Sequence, residues 1–255
     1  SPARARHRDD AGSTPLHEAC ERGRVGTAHA LLEAGADLNA RDALDRTPLH
    51  RAVSNPTEAT VRFLLGRGAR VNERDRFGRT PLLLACQCNS AENARALLEG
   101  GADPDLADYD GQTPLRASVR NASLIALLLD RGAAPEEGGK TAWLPLHAAV
   151  SFGEKASVEA LLKGGASPNC RDSGGNTPLH EVACSADPGA VEIARLLLDG
   201  GADPSLVNKA GQTALQKAQG QCPGTPVVEL LHALGAPGLP LEEPPQKQEG
   251  AGGKG

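Results

Sequence analysis

Thr14-Pro15-Leu16-His17 returns along the chain as Thr47-Pro48-Leu49-His50, Thr80-Pro81-Leu82, Thr113-Pro114-Leu115, Leu144-Pro145-Leu146-His147, Thr177-Pro178-Leu179-His180 and Thr213-Ala214-Leu215. The steps between these phrases are 33, 33, 33, 31, 33 and 36 residues. A period of that size marks a stacked array of similar units rather than one globular core. A second phrase keeps step with the first: Gly35-Ala36-Asp37, Gly68-Ala69, Gly101-Ala102-Asp103, Gly132-Ala133, Gly165-Ala166, Gly201-Ala202-Asp203 and Gly235-Ala236. Each of the first six glycines stands 12 residues before the next phrase. That half of the unit tolerates no insertion.

Each unit reads as a helix, a turn, a second helix and an extended finger. Thr is an N-cap that accepts from an orphan backbone N–H, and Pro at the first helical position loses nothing by lacking one. His three residues after Thr bonds back to the cap in the manner of a capping box. Leu16, Ala19 and Cys20 are small or apolar residues at helical spacing, which admits a close neighbour. The second helix closes on paired leucines, from Leu31-Leu32 to Leu197-Leu198, and the following glycine takes the left-handed position that stops a helix. Counting back 12 residues from each Gly-Ala pair predicts second-helix starts at Gly23, Pro56, Asn89, Arg120, Gly153, Gly189 and Pro223. All length variation then falls in the turn between the two helices. Unit four has lost two residues just before Arg120, unit six has gained three within Cys184–Pro188, and unit seven has gained one near Gly220–Cys222. Such turns accept changes because they lie on the surface.

Thr-Pro-Leu-His, Leu-Leu, Gly-Ala-Asp and Asp-x-x-Gly, recurring in that order from about Arg8 to Pro237, resemble the ankyrin repeat. The resemblance implies an all-α repeat solenoid with β-hairpin fingers, here six full units and a shortened C-terminal cap. With neighbouring helices 8–10 Å apart, the stack is roughly 60 Å long. Residues 1–8 are read as a solvated lead-in, 9–237 as the array, and 238–255 as a disordered Pro/Gly-rich tail that is too poor in apolar surface to offset chain entropy.

The net charge of −5 lacks the basic excess expected of a nucleic-acid binder, so none is expected as a partner. No apolar run reaches membrane-spanning length, and the start of the chain has no apolar segment of a signal peptide. The chain contains no methionine, which fits either a removed initiator or a fragment. Six cysteines without a C-x-x-C pair read as free thiols of a reducing compartment, cytoplasmic and possibly also nuclear. Cys20 and Cys86 occupy a buried slot of the first helix. His17, His50, His147 and His180 are capping residues about one repeat apart and form no metal cluster. No G-x-S-x-G, P-loop or H-E-x-x-H occurs. No cofactor, metal or catalytic residue is therefore expected; the chain reads as a non-enzymatic, monomeric protein-interaction module.

The ankyrin resemblance also implies where a protein partner lies: on the finger tips and on the concave first-helix face. The family pattern leaves free two residues after the finger's Asp, one just before Thr, and two near the end of the first helix. Three of the chain's five aromatics, Phe77, Tyr109 and Trp143, hold such positions on successive fingers. Arg46, Arg76, Arg79, Gln112 and Lys140 lie around them, and Phe152 with Glu21 and Arg22 extends the surface to the concave face. Aromatics and Arg dominate binding hot spots. The finger into unit five has Gly139 in place of the usual Asp and is expected to be looser. Asn39, Asn72 and Asn169, each four residues beyond a finger glycine and eight after a leucine, resemble ankyrin sites of asparaginyl hydroxylation; the alternative is a purely turn-stabilising role. Thr14–Cys20 and the seven units look like the ankyrin and SOCS-box substrate receptors of ubiquitin ligases, although the 18 residues after Pro237 are shorter than a SOCS box. An IκB-like regulator of a transcription factor and a general scaffold are the alternatives.

Overall fold

The computed structural model describes residues 7–136 and 143–236. These hold fourteen helices in seven antiparallel pairs. The first helices are α1 (Pro15–Glu21), α3 (Pro48–Ala52), α5 (Pro81–Gln87), α7 (Pro114–Ala117), α9 (Pro145–Ser151), α11 (Pro178–Ala183) and α13 (Ala214–Gln221). The second helices are α2 (Val25–Glu33), α4 (Ala59–Gly66), α6 (Ala91–Glu99), α8 (Ala122–Asp130), α10 (Lys155–Lys163), α12 (Ala190–Asp199) and α14 (Pro226–Ala233). First helices pack on first helices of the next unit and second on second, so the molecule is two parallel rows of helices with the fingers along one edge. The seventh unit keeps both of its helices.

The repeated phrase is the seed of each layer. Its leucine (Leu16, Leu49, Leu82, Leu115, Leu146, Leu179, Leu215) is buried in every unit. The first leucine of the later pairs (Leu64, Leu97, Leu128, Leu161, Leu197) meets it from the second helix and is also buried. Each such leucine contributes on the order of 2 kcal/mol of hydrophobic burial. The second leucine is partly buried in most units, and Leu65, Leu129 and Leu162 reach Gly100, Gly164 and Gly200 at the helix end of the next unit. A Cβ on Gly164 would stand 2.3 Å from Cδ1 of Leu129, so glycine there is a condition of close stacking.

Two sequence expectations shift. The second helices start later than predicted, by two residues at Val25, Ala91, Ala122 and Lys155, by three at Ala59 and Pro226 and by one at Ala190. The residues named as starts include Gly23, Asn89 and Gly153, whose φ of 67°, 57° and 71° makes them left-handed turn residues ahead of the helix. The deletion in unit four shows as a first helix of only four residues, α7, closed by the Ser118 hydroxyl donating to the Pro114 carbonyl at 2.9 Å. The fingers are tight hairpin turns. Among the described residues the one bridge outside helices joins Val207 and Thr213. The expected features of residues 137–142, including the finger with Gly139, and of the tail 238–255 lie outside the described residues.

Candidate protein-binding surface

A carboxylate or amide builds each described finger tip from within. Oδ1 of Asp42 accepts the backbone N–H groups of Leu44 and Arg46 at 2.8 and 3.0 Å, and its Oδ2 accepts Arg46 Nε at 3.0 Å and Arg51 Nη2 at 2.9 Å. Asp75 repeats this with Phe77 and Arg79, whose Nε and Nη2 donate to its Oδ2 at 2.9 and 2.7 Å. Burial alone would raise the pKa of Asp42, but the backbone donors of Arg46 and Leu44, with Arg51, outweigh it and hold the carboxyl below its ordinary value. Asp108 and Asn208 accept from their own tips in the same way.

The histidines then latch one unit to the next. Nδ1 of His17 accepts the Thr14 N–H at 3.1 Å, which leaves the proton on Nε2 to donate to the Arg46 carbonyl of the next finger at 2.9 Å. His50 reaches the Arg79 carbonyl at 3.1 Å and His180 the Gln212 carbonyl at 2.9 Å. Burial lowers the pKa of all three below 6.5. In unit five Leu144 replaces the capping Thr, and the Cys170 thiol takes that place, 3.7 Å from Nδ1 of His147. His147 still reaches the Asn176 carbonyl at 3.0 Å. A row of arginines adds a second set of ties. Arg8 bonds the Arg41 carbonyl, Arg41 that of Arg74, Arg74 that of Ala107, and Arg171 that of Val207.

Several positions read as free in the sequence therefore have structural duties. Arg46 and Arg79 hold buried Asp42 and Asp75, and their carbonyls receive the histidine latch. Gln112 accepts from Gln87 Nε2 at 2.7 Å across the unit boundary. Arg76 reaches back to the Ala43 carbonyl. Glu21 pairs with Arg51 at 3.0 Å, and Arg22 with Glu18 at 2.8 Å. Asn39, Asn72 and Asn169 each accept a backbone N–H of the following unit, from Arg70, Asp103 and Asp203 at 3.0, 3.0 and 2.8 Å. Lys140 lies outside the described residues.

The aromatic side chains stand differently. Phe77 is 50% exposed and Tyr109 61% exposed, on adjacent fingers whose tips are joined by the Tyr109 N–H donating to the Phe77 carbonyl at 3.0 Å. The Arg79 guanidinium lies 4.7 Å from the centre of the Phe77 ring. Tyr109 passes over Gly78, where an added Cβ would meet the ring at 2.8 Å, and the φ of 81° at Gly78 independently favours glycine. Trp143 is half-buried and meets Phe152 edge-on, with ring centres 5.9 Å apart. Phe152 is 44% exposed, and Arg120 covers its face at 4.6 Å. Gln87, Gln112, Arg116, Arg120 and Phe152 line a groove of about 370 Å³ beside α7 that contains no carboxylate. Arg116 and Arg120 were missed by the finger pattern because they belong to the first helix and the shortened turn of unit four. The two-residue deletion just before Arg120 was the only signal of them.

The rest of the surface offers little chemistry. Burial pushes the Cys20, Cys86 and Cys170 thiols up to about 12, far from thiolate at neutral pH. Among the described residues no three His, Cys, Asp or Glu side chains come together as metal ligands, and no helix is long and apolar enough to cross a membrane.

Comparison with known proteins agrees with this architecture. The family model "Ankyrin repeats (3 copies)" matches residues 1–75, 49–138, 92–172 and 146–236. Human Rabankyrin-5 is 41% identical over 56 residues, 22% of this chain and 5% of that protein. The ankyrin repeat-containing protein P1E11.10 of Schizosaccharomyces pombe is 35% identical over 63 residues, 25% of this chain and 30% of that protein. The matches thus span well under two thirds of those relatives. Among solved structures, the ankyrin repeat domain of Bcl-3, described as a unique member of the IkappaB protein family, is 33% identical with a TM-score of 0.78, covering 88% of this chain and 100% of that one. The human ASB11 ankyrin repeat domain is 30% identical with a TM-score of 0.72, covering 89% of this chain and 100% of that one. With the family model covering nearly all of the described array, this chain belongs to the ankyrin-repeat family, whose fold is generally a protein-interaction module without enzymatic activity.

Proposed function

We propose that the chain recognises a protein partner through the finger tips of units three and four and the adjoining groove at Arg120 and Phe152. The observation that carries this reading is the exposure of Phe77, Tyr109 and Phe152 in a chain with only five aromatics. Rings left in water lower solubility without adding to the core, so their placement favours a surface that a partner covers. Arg120 over Phe152 presents cation and ring together, a combination suited to anchoring acidic and apolar side chains of a partner.

The similarity to ASB11 supports a role as the substrate-binding part of a ubiquitin-ligase receptor, and the similarity to Bcl-3 supports regulation of a transcription factor. A groove lined by arginines and free of carboxylates fits an acidic partner segment better than the basic segment that an IκB-like mask covers, which favours the first reading. Affinity purification with mass spectrometry tests both. Cullin adaptors together with an acidic client support the receptor reading, and Rel-type factors support the other. The double variant Phe77→Ala, Tyr109→Ala should lose the main partner at least tenfold, the loss expected when hot-spot residues are truncated. Retention of every partner by a variant of unchanged stability would place the interface elsewhere.

A further inference from the structure

The two turns lengthened by insertion, in units six and seven, bring two cysteines together. Cys184 caps the C-terminus of α11 and Cys222 that of α13, and these two helices pack side by side as neighbouring first helices. The hydroxyl of buried Thr225 donates to the Ala183 carbonyl at 2.8 Å, which holds the turn after Cys222 against the residue before Cys184. Both thiols are free and half-buried, and the Cys222 side chain bears on the Cys184 thiol. The other four cysteines have no thiol partner of this kind: Cys20 and Cys86 are buried in first helices, Cys170 faces His147, and Cys88 is exposed.

We infer that Cys184 and Cys222 form a reversible disulfide under peroxide, clipping the terminal unit to unit six. One sulfur attacks the peroxide O–O bond as its thiolate, becoming a sulfenic acid and releasing one oxygen as water. The second sulfur displaces the sulfenic hydroxyl, which leaves as a second water, and the S–S bond forms. Two S–H groups are thereby oxidised and one hydrogen peroxide is reduced to two waters. Burial, and the Cys222 thiol beside it, push Cys184 up to about 11, so that thiol stays protonated at neutral pH and the pair responds to a high peroxide load rather than a basal one. The position gives the bond its effect. Among the described residues the seventh unit packs on unit six alone, so a clip between the two acts on the unit held by one neighbour.

The experiment uses the full chain carrying Cys88→Ser, so that the exposed thiol does not react, treated with hydrogen peroxide and then denatured in alkylating reagent. The expected result is the loss of two titratable thiols, a Cys184–Cys222 linked peptide in non-reducing maps, a melting temperature raised by several degrees, and full reversal by dithiothreitol. Adding Cys184→Ser or Cys222→Ser should abolish both the linked peptide and the shift, with circular dichroism confirming that each variant is folded. All five thiols still titratable, separate sulfinic acids, or linkage to any other cysteine or between chains would each overturn the inference.

Discussion

His50 shows how much a single side chain carries in this molecule. It is buried, its Nδ1 receives the Thr47 N–H, and its Nε2 donates to the next finger. Replacing it with Ala strands one buried donor and one buried acceptor, each costing about 1–3 kcal/mol. His50→Ala should therefore lower stability by roughly 3 kcal/mol in urea unfolding; a loss within the noise of the wild type would show the latch to be incidental. Thr60 is the opposite case. Its hydroxyl is buried without a partner in α4, where the matching position of α8 is the fully buried Leu124. Thr60→Val keeps the shape and removes the unsatisfied group, so it should raise stability by about 1 kcal/mol in the same measurement.

At the scale of the element, the latches give the fingers a pH dependence. His17, His50 and His180 have folded pKa values below the 6.5 of the unfolded chain. The unfolded state thus binds more protons as pH falls through 6.5, and stability present above that pH is progressively lost until the folded pKa values are passed. Each histidine contributes a slope of up to about 1.4 kcal/mol per pH unit inside that window. Urea midpoints should fall as pH is lowered from about 7 towards 5, and a chain carrying His50→Ala should show a shallower fall. Gly78→Ala tests the finger itself. The left-handed backbone and the Tyr109 ring both oppose a Cβ there, so this variant should lose stability and shift Tyr109 fluorescence, unlike a change at an exposed tip.

For the whole molecule, stability is close to a sum of interfaces between neighbours. Leu128 is buried in the central unit, and Leu128→Ala should cost about 2–5 kcal/mol through the cavity it leaves. The loss should also separate unfolding of the two halves, visible as a broadened or two-step urea transition. Phe77→Ala with Tyr109→Ala should instead leave melting and helical circular dichroism nearly unchanged, because exposed residues seldom matter to stability by more than about 0.5 kcal/mol.

The period of the phrase, the capping box, the buried leucines and the turns that absorb insertions were legible in the residues because each is a local, repeated demand of backbone geometry. A Thr that must cap recurs in six of the seven units and a Gly that must turn left-handed in all seven, and both expose themselves by recurrence. What each non-repeated side chain does depends on the neighbouring unit, about a repeat away in sequence, and only the tertiary structure decided it. Arg46 and Arg79 read as free surface and proved to be partners of buried Asp42 and Asp75. The Cys170 thiol stands beside His147 in place of the Thr that unit five lacks. Arg120 carried no repeated signal and came to cover Phe152 from the next unit, just as two lengthened turns brought Cys184 to Cys222. Periodicity records what a unit needs in order to exist, whereas contacts across the unit boundary are set by stacking, which places side chains together without writing any pattern along the chain.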